Sequence, residues 1–175
     1  MRIDIGEWQV RSFRMSDLES LVRHANDRAV SSNLTDQFPY PYTERDGLAW
    51  LKTVESQDPE TSFAIATDDE LIGGIGLELQ KDVYRVGAEI GYWLARPFWG
   101  RGIVTAAVRA VTDYAFATFD VTRVYAGVYE SNPASARVLE KAGYTFEGRL
   151  RRAVTKNGKI MDILLFSMVD EDIGR

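Results

Sequence analysis

Along the chain, hydrophobic positions switch between a period near two and a period near 3.6, and each switch marks a change of element. WQVRSFR (8–14) alternates as a strand does, and Met15-Ser16-Asp17 then opens a helix that runs to about Asn26. FPYPYT (38–43) is a proline-punctuated aromatic loop. From Glu44 to Gln57, helical spacing follows at Leu48, Leu51 and Val54. SFAIAT (62–67) and ELIGGIGLEL (70–79) predict two strands joined through Asp68-Asp69, a hairpin without the customary glycine. VGAEIGYWL (86–94) predicts a third strand, and after Gly102 an apolar stripe at Ile103, Ala107, Ala110, Val111, Tyr114 and Ala115 predicts a helix. RVYAGVY (123–129) reads as a strand. Asn132 to Ala142 reads as a helix with Asn132 as N-cap, Pro133 at its first position and Gly143 as its stop. YTFEGRLRRAV and IMDILLFSMV close the chain as strands around the turn Asn157-Gly158. The predicted order is β-α-α-β-β-β-α-β-α-β-β, a mixed α/β chain. No linker or repeat interrupts it, so a single domain over residues 1–175 is expected.

Composition narrows the function classes. Apolar residues make up 45% and charged residues 27%, which supports a packed core and argues against disorder. No apolar run approaches the roughly 18–20 residues needed to span a bilayer, and MRIDIGEWQV lacks the apolar stretch of a secretory signal. A cytoplasmic protein without a membrane partner is the expectation. The absence of cysteine removes disulfides, zinc–thiolate sites and a covalent cysteine intermediate together. His24, the one histidine, sits within a predicted helix, where a solvated or edge role outweighs a metal or catalytic one. A net charge of −5 argues against a nucleic-acid surface.

The segment RPFWGRGIVTAAV (96–108) places Gly100 and Gly102 around Arg101, between a strand and a helix. Such a connection aims unpaired backbone N–H groups and the positive end of the helix dipole at one point, where an anion binds well. Glycine permits close approach of an anion, and Arg101 offers a charge-assisted contact. Neither GxxxxGK[ST] nor the third glycine of a dinucleotide fingerprint is present, because Thr105 stands at that position. On spacing alone, the two glycines could equally serve only to shape a tight connection.

Three segments carry a resemblance to the GNAT N-acetyltransferase superfamily, in the branch of the ribosomal-protein-alanine acetyltransferases. AEIGYWL-(x)4-WGRGIVTAAV resembles the strand and pyrophosphate loop of that branch. ESNPASARVLEKAGY resembles its second cofactor motif, and EGRLRRAVTKNGKIMDILLFSMV, with Gly158 and Asp162, its closing hairpin. The resemblance implies the single-domain GNAT acyl-CoA N-acyltransferase fold (α+β), a mixed, mostly antiparallel sheet with helices on both faces. It also implies acetyl-CoA as co-substrate, with no metal. In the superfamily pattern (Q/R)-x-x-G-x-(G/A), Trp99 takes the first place, Gly102 the glycine and Val104 the last. Tryptophan is usual for the branch, whereas Val104 is larger than the pattern expects. Trp93, Leu94, Trp99, Gly100, Arg101, Gly102, Ile103, Val104 and Thr105, with Asn132 and Ser135, are the cofactor-binding residues that the resemblance implies.

Acetyl transfer to an amine requires loss of a proton, a donor for the oxyanion and departure of a thiolate. Without cysteine, direct attack in a ternary complex is the economical route. Alternation puts Glu89, Gly91 and Trp93 on one face of their strand, and Glu89, just upstream of Gly91, is the first choice of general base. Glu130, at the end of the neighbouring strand, is its rival and a candidate acceptor-side residue. Leu139 occupies the position where many GNAT enzymes carry a tyrosine acid, so that role does not transfer. Ser135 resembles the serine that the branch keeps beside the sulfur, and is nominated to position or protonate the thiol. Phe38, Tyr40 and Tyr42 could floor an acceptor slot or simply pack the loop. The expected activity is N-acetylation of a primary amine, a protein or peptide α-amine first. A small amine (amino acid, polyamine or antibiotic) is the runner-up, and a non-catalytic CoA-binding sensor is the rival from another class. Monomer and homodimer both remain open.

Overall fold

In the computed structural model, which describes residues 1–174, the strands run β1 (Arg2–Asp4), β2 (Gln9–Ser12), β3 (Ser62–Ala66), β4 (Leu71–Leu79), β5 (Gly87–Leu94), β6 (Arg123–Tyr129), β7 (Thr145–Lys156) and β8 (Lys159–Val169). The helices are α1 (Leu18–Ala25), α2 (Arg28–Ser31), α3 (Glu44–Glu55), α4 (Ile103–Thr118) and α5 (Pro133–Ala142), with short 3-10 turns between elements. Among the described residues the strand order is β1-β2-β3-β4-β5-β6-β8-β7. The pairings β1–β2, β2–β3, β3–β4, β6–β8 and β7–β8 are antiparallel, and β5–β6 is parallel. Among the described residues no helix is long and apolar enough to cross a membrane.

Every element expected from the hydrophobic pattern is present. Two more are added, β1 and the single turn α2. β1 has three residues, too few to display a period, and exists because its backbone pairs with β2 through Ile3↔Val10. The hairpin at Asp68-Asp69 dispenses with glycine because the Thr67 hydroxyl accepts the N–H groups of Asp69 (3.2 Å) and Glu70 (3.1 Å).

The chain folds as two compact units. Met1–Gly76 with Tyr92–Ala107 forms the first, and Leu77–Gly91 with the chain from Val108 onward forms the second. In the first unit, Leu21, Ala25, Tyr42, Leu51, Ala64 and Leu71 make a buried cluster, flanked by Phe13, Phe38 and Trp93. A buried bidentate ion pair ties β2 to the turn before α1: Arg11 donates to both Asp17 carboxylate oxygens, at 2.8 and 2.7 Å. In the second unit, Val111 and Ala115 of the predicted stripe are buried, together with Val108, Val124, Leu139 and Phe166.

β6 and β7 are held by a second fork, in which the Arg123 guanidinium donates to both Glu147 oxygens at 2.5 Å and Ser167 donates to the same carboxylate at 2.6 Å. Arg123 first, then Ser167, holds the Glu147 carboxyl down to about 2 against an ordinary 4.5. A depressed carboxylate stabilises the fold fully above its unfolded value, and that contribution disappears as pH falls from 4.5 towards about 2. Glu147→Gln is therefore expected to lower the melting temperature at pH 7 and to flatten the acid dependence of stability in that window. Thermal melts of both proteins across pH 2–7 check it.

Candidate active site

In the first unit, β5 runs through a 3-10 turn (Arg96–Phe98) and the residues Trp99–Gly102 into α4. The turn is built from its own main chain. Phe98 N–H donates to Ala95 O (2.9 Å), Trp99 N–H to Arg96 O (3.2 Å), and the Trp99 indole N–H reaches back to Leu94 O at 2.7 Å. Gly100 and Gly102 have φ of 76° and 79°, a left-handed conformation that side chains with a Cβ rarely adopt, and a Cβ at either would meet no atom within 4 Å. The glycines are there for backbone conformation, and the space above them is open.

The first hydrogen bond of α4 is Ala106 N–H to Gly102 O, at 3.1 Å. The N–H groups of Ile103, Val104 and Thr105 thus precede any intrahelical acceptor, and the dipole adds positive potential where they emerge. The segment 96–105 carries two arginines and no acidic residue. This donor set fits a phosphate. The Ile103 side chain is buried, which leaves only its N–H to offer an anion, and the size of Val104 matters little because the donor there is also main-chain. Arg101 is exposed, donating to Pro97 O at 3.2 Å with its guanidinium 5.5 Å from the Phe98 ring centroid, so its reach to an anion requires it to leave that perch.

Trp93 packs against the first unit's buried cluster. Its ring centroid is 5.5 Å from that of Phe38, which is 5.1 Å from that of Tyr42. Gly74 makes room for it: a Cβ there would come within 2.7 Å of the indole nitrogen. Tyr42 is thereby committed to the core, and Phe38 packs half-buried against it. Burial, then the Asp46 charge, pushes the Tyr42 phenol up to about 12, and its backbone N–H donates to Asn26 Oδ1 at 3.0 Å. Tyr40 alone of the loop aromatics is exposed. His24 is an edge residue, its Nε2 3.2 Å from Glu70 and its ring against Phe98.

In the second unit, the parallel ladder between β5 and β6 covers Gly87↔Arg123, Ala88↔Val124 and Glu89↔Tyr125, and ends there. Glu89 therefore stands at the last rung, half-buried, with the Tyr125 hydroxyl donating a hydrogen bond to it. On its other flank, Gln80 N–H donates to Gly87 O at 3.0 Å, and stepping two residues along each antiparallel strand sets Glu78 opposite Glu89. Burial first, and then the Glu78 charge, push the Glu89 carboxyl above its ordinary 4.5, while the Tyr125 hydrogen bond pulls against them. A half-buried carboxylate of raised pKa is the profile of a general base working towards neutral pH.

Glu130 is differently placed. One oxygen accepts the Asp162 backbone N–H at 2.9 Å and the other lies 3.4 Å from Arg149, so its carboxylate is already engaged. Leu139 is fully buried, consistent with a core role. Tyr144, of the glycine-aromatic pair, is also buried, its hydroxyl 2.6 Å from Thr112 Oγ1.

Asn132 caps α5, its side chain accepting the Ser135 N–H at 3.3 Å, and Ser135 itself is half-buried in the first turn. Asn132→Ala is expected to cost ~0.5–2 kcal/mol of stability through the lost cap. Ser135→Ala keeps the backbone donor of the cap and is expected to lower the catalytic rate while leaving acetyl-CoA affinity within about tenfold. Melting curves and steady-state kinetics on the pair check both.

Comparison with known proteins identifies the family. Residues 9–145 match the model of the acetyltransferase (GNAT) domain family. An uncharacterized N-acetyltransferase, p20, of Bacillus licheniformis is 29% identical over 171 residues, covering 93% of each chain. The ribosomal-protein-serine acetyltransferase of Escherichia coli (strain K12) is 31% identical over 107 residues, 61% of this chain and 59% of that one. Among solved structures, RimL, a ribosomal alpha-N-protein acetyltransferase in complex with coenzyme A, superposes with a TM-score of 0.84 at 20% identity, over 97% of this chain and 98% of that one. The fold is the single-domain GNAT fold with its mixed, mostly antiparallel sheet. The chain belongs to the GNAT family and is an N-acetyltransferase.

Proposed function

We propose that residues 1–175 act as one catalytic domain that transfers the acetyl group of acetyl-CoA to a primary amine by direct attack in a ternary complex. The acceptor in this reading is the α-amine of a protein or peptide. The observation that carries the proposal is the open, acid-free glycine turn at the start of α4, and the half-buried Glu89 carboxylate of raised pKa supports it separately. Acetyl-CoA supplies the activated thioester carbonyl and a thiolate leaving group.

The chain's own groups have separate tasks. The main-chain N–H groups from Gly100 to Thr105 hold the pyrophosphate, with Arg101 adding charge once it swings from Phe98. Trp93 and Leu94 present the strand edge that receives the pantetheine arm, and Asn132 adds a polar contact. Glu89 takes the proton from the acceptor ammonium, and Ser135 donates a hydrogen bond to the departing thiolate. Tyr40 and Phe38 border the acceptor side. A protein acceptor is supported by the relatives named for ribosomal proteins.

A coupled thiol-release assay over a panel of peptides with free N-termini, amino acids and polyamines tests the reading. Acceptor-dependent release of CoA with peptides, exceeding that with any small amine, is the expected result. Release only with small amines overturns the protein acceptor. Tight acetyl-CoA binding with no release for any amine overturns the transfer itself.

A further inference from the structure

We propose that Tyr125 is a positioning residue for Glu89, and that Tyr125 and Glu78 set the carboxylate from the two flanks of β5, one by a donated hydrogen bond and the other by charge repulsion. The inference rests on Glu89 as the base, and it assigns two residues that no motif in the sequence marks.

Three observations carry it. Glu89↔Tyr125 is the terminal pair of the β5–β6 ladder, so the two side chains emerge on one face with no further rung to separate them. The phenol is itself held in place. Its ring lies beside Gly87, where a Cβ would come within 3.8 Å of Tyr125 Cε1, and the Arg123 guanidinium lies 5.5 Å from the ring centroid. Arg123 in turn is locked by its fork onto Glu147, which Ser167 also holds. On β4, Glu78 stands directly opposite Glu89 and is exposed, so its charge acts across the strand pair. Like charges directly opposed on a sheet are unfavourable, and the Tyr125 donor is what lets Glu89 remain ionised beside Glu78.

The groups facing Glu89 are thus Glu78 from β4 and Tyr125 from β6, with Arg123 behind Tyr125. Burial first, then Glu89 and Glu78, raise the Tyr125 phenol, which keeps its proton available for donation.

Removing the two neighbours should act in opposite directions. In Tyr125→Phe the carboxylate loses its donor, and the acidic limb of kcat/KM should move up by about 0.5–1 pH unit. Rate is then lost below the limb and recovered above it, with KM for acetyl-CoA unchanged. In Glu78→Gln the limb should move down, because the opposing charge is gone. A purely structural role for Tyr125 would lower the melting temperature without moving the limb. Limbs that stay fixed in both variants, or that move the same way, overturn the proposal. A ¹³C NMR titration of the Glu89 carboxyl carbon in the protein without substrate provides the second readout. If Glu89→Gln retains full turnover, the base assignment fails, and this titration alone then decides the positioning: up in Tyr125→Phe and down in Glu78→Gln upholds it, no movement overturns it. Phenylalanine preserves the ring against Gly87. Should that variant still fail to fold, a lowered Glu89 titration in Glu78→Gln upholds the proposal, and an unchanged one overturns it.

Discussion

Replacing Glu89 with glutamine is expected to lower turnover at neutral pH by ~10²–10⁴-fold, the usual loss when a general base is removed. Glutamine keeps the size of the side chain and its place at the last rung beside Tyr125, so acetyl-CoA affinity and melting temperature should change little. The loss should shrink as pH rises, because the acceptor ammonium then deprotonates in solution and needs no base. With Glu89 as the proposed base, the working form is the carboxylate. Burial and Glu78 raise its pKa, so the acidic limb of kcat/KM should lie above the ordinary carboxylate value of 4.5. Glu130→Gln is the matched control. That carboxylate is bound to the Asp162 N–H and to Arg149, so its replacement should disturb the β6–β8 corner more than the pH profile. Steady-state rates across pH for both variants decide between them. An effect in Glu89→Gln below about threefold, well under the range for a lost base, would move the role elsewhere.

Gly102→Asp should abolish useful acetyl-CoA binding. The position has open space around it, so the aspartate carboxylate can project to where the phosphate is expected, and like-charge repulsion there amounts to ~1–4 kcal/mol. The same substitution also strains the backbone. With φ at 79°, any L-residue costs ~1–2 kcal/mol, so some stability will be lost as well. Gly102→Ala separates the two effects, because it carries the strain without the charge. Calorimetry should show a substantially larger loss of affinity in the aspartate variant than in the alanine one, and the melting temperatures of the two should be close. Equal affinities in the two variants would mean that the turn shapes the chain and holds no anion.

Apart from β1 and α2, the strands and helices of this protein, and the location of its glycine turn, were determined by the sequence alone. A strand or helix here is set by interactions among residues at most four apart: alternation in RVYAGVY, the 3.6-residue stripe after Gly102, the Asn132-Pro133 start and the Gly143 stop. Those signals are local, so they can be read without knowing the neighbours. Even the positive φ of Gly100 and Gly102 belongs to this class, since the residue type itself carries the conformational freedom.

What stands opposite what was decided only by the tertiary structure. Glu89 and Glu130 look alike in sequence, each a glutamate on or beside a predicted strand. Strand pairing leaves the first half-buried between Glu78 and Tyr125 and ties the second to Arg149 and Asp162. FPYPYT offered three aromatics for one role, and packing took Tyr42 into the core, left Phe38 half-buried against Trp93 and left Tyr40 exposed. β1 became a strand only because β2 was beside it. The physical reason is common to all three cases. Register, burial and electrostatic environment are energies between residues tens of positions apart, and they exist only once the backbone has brought those residues together.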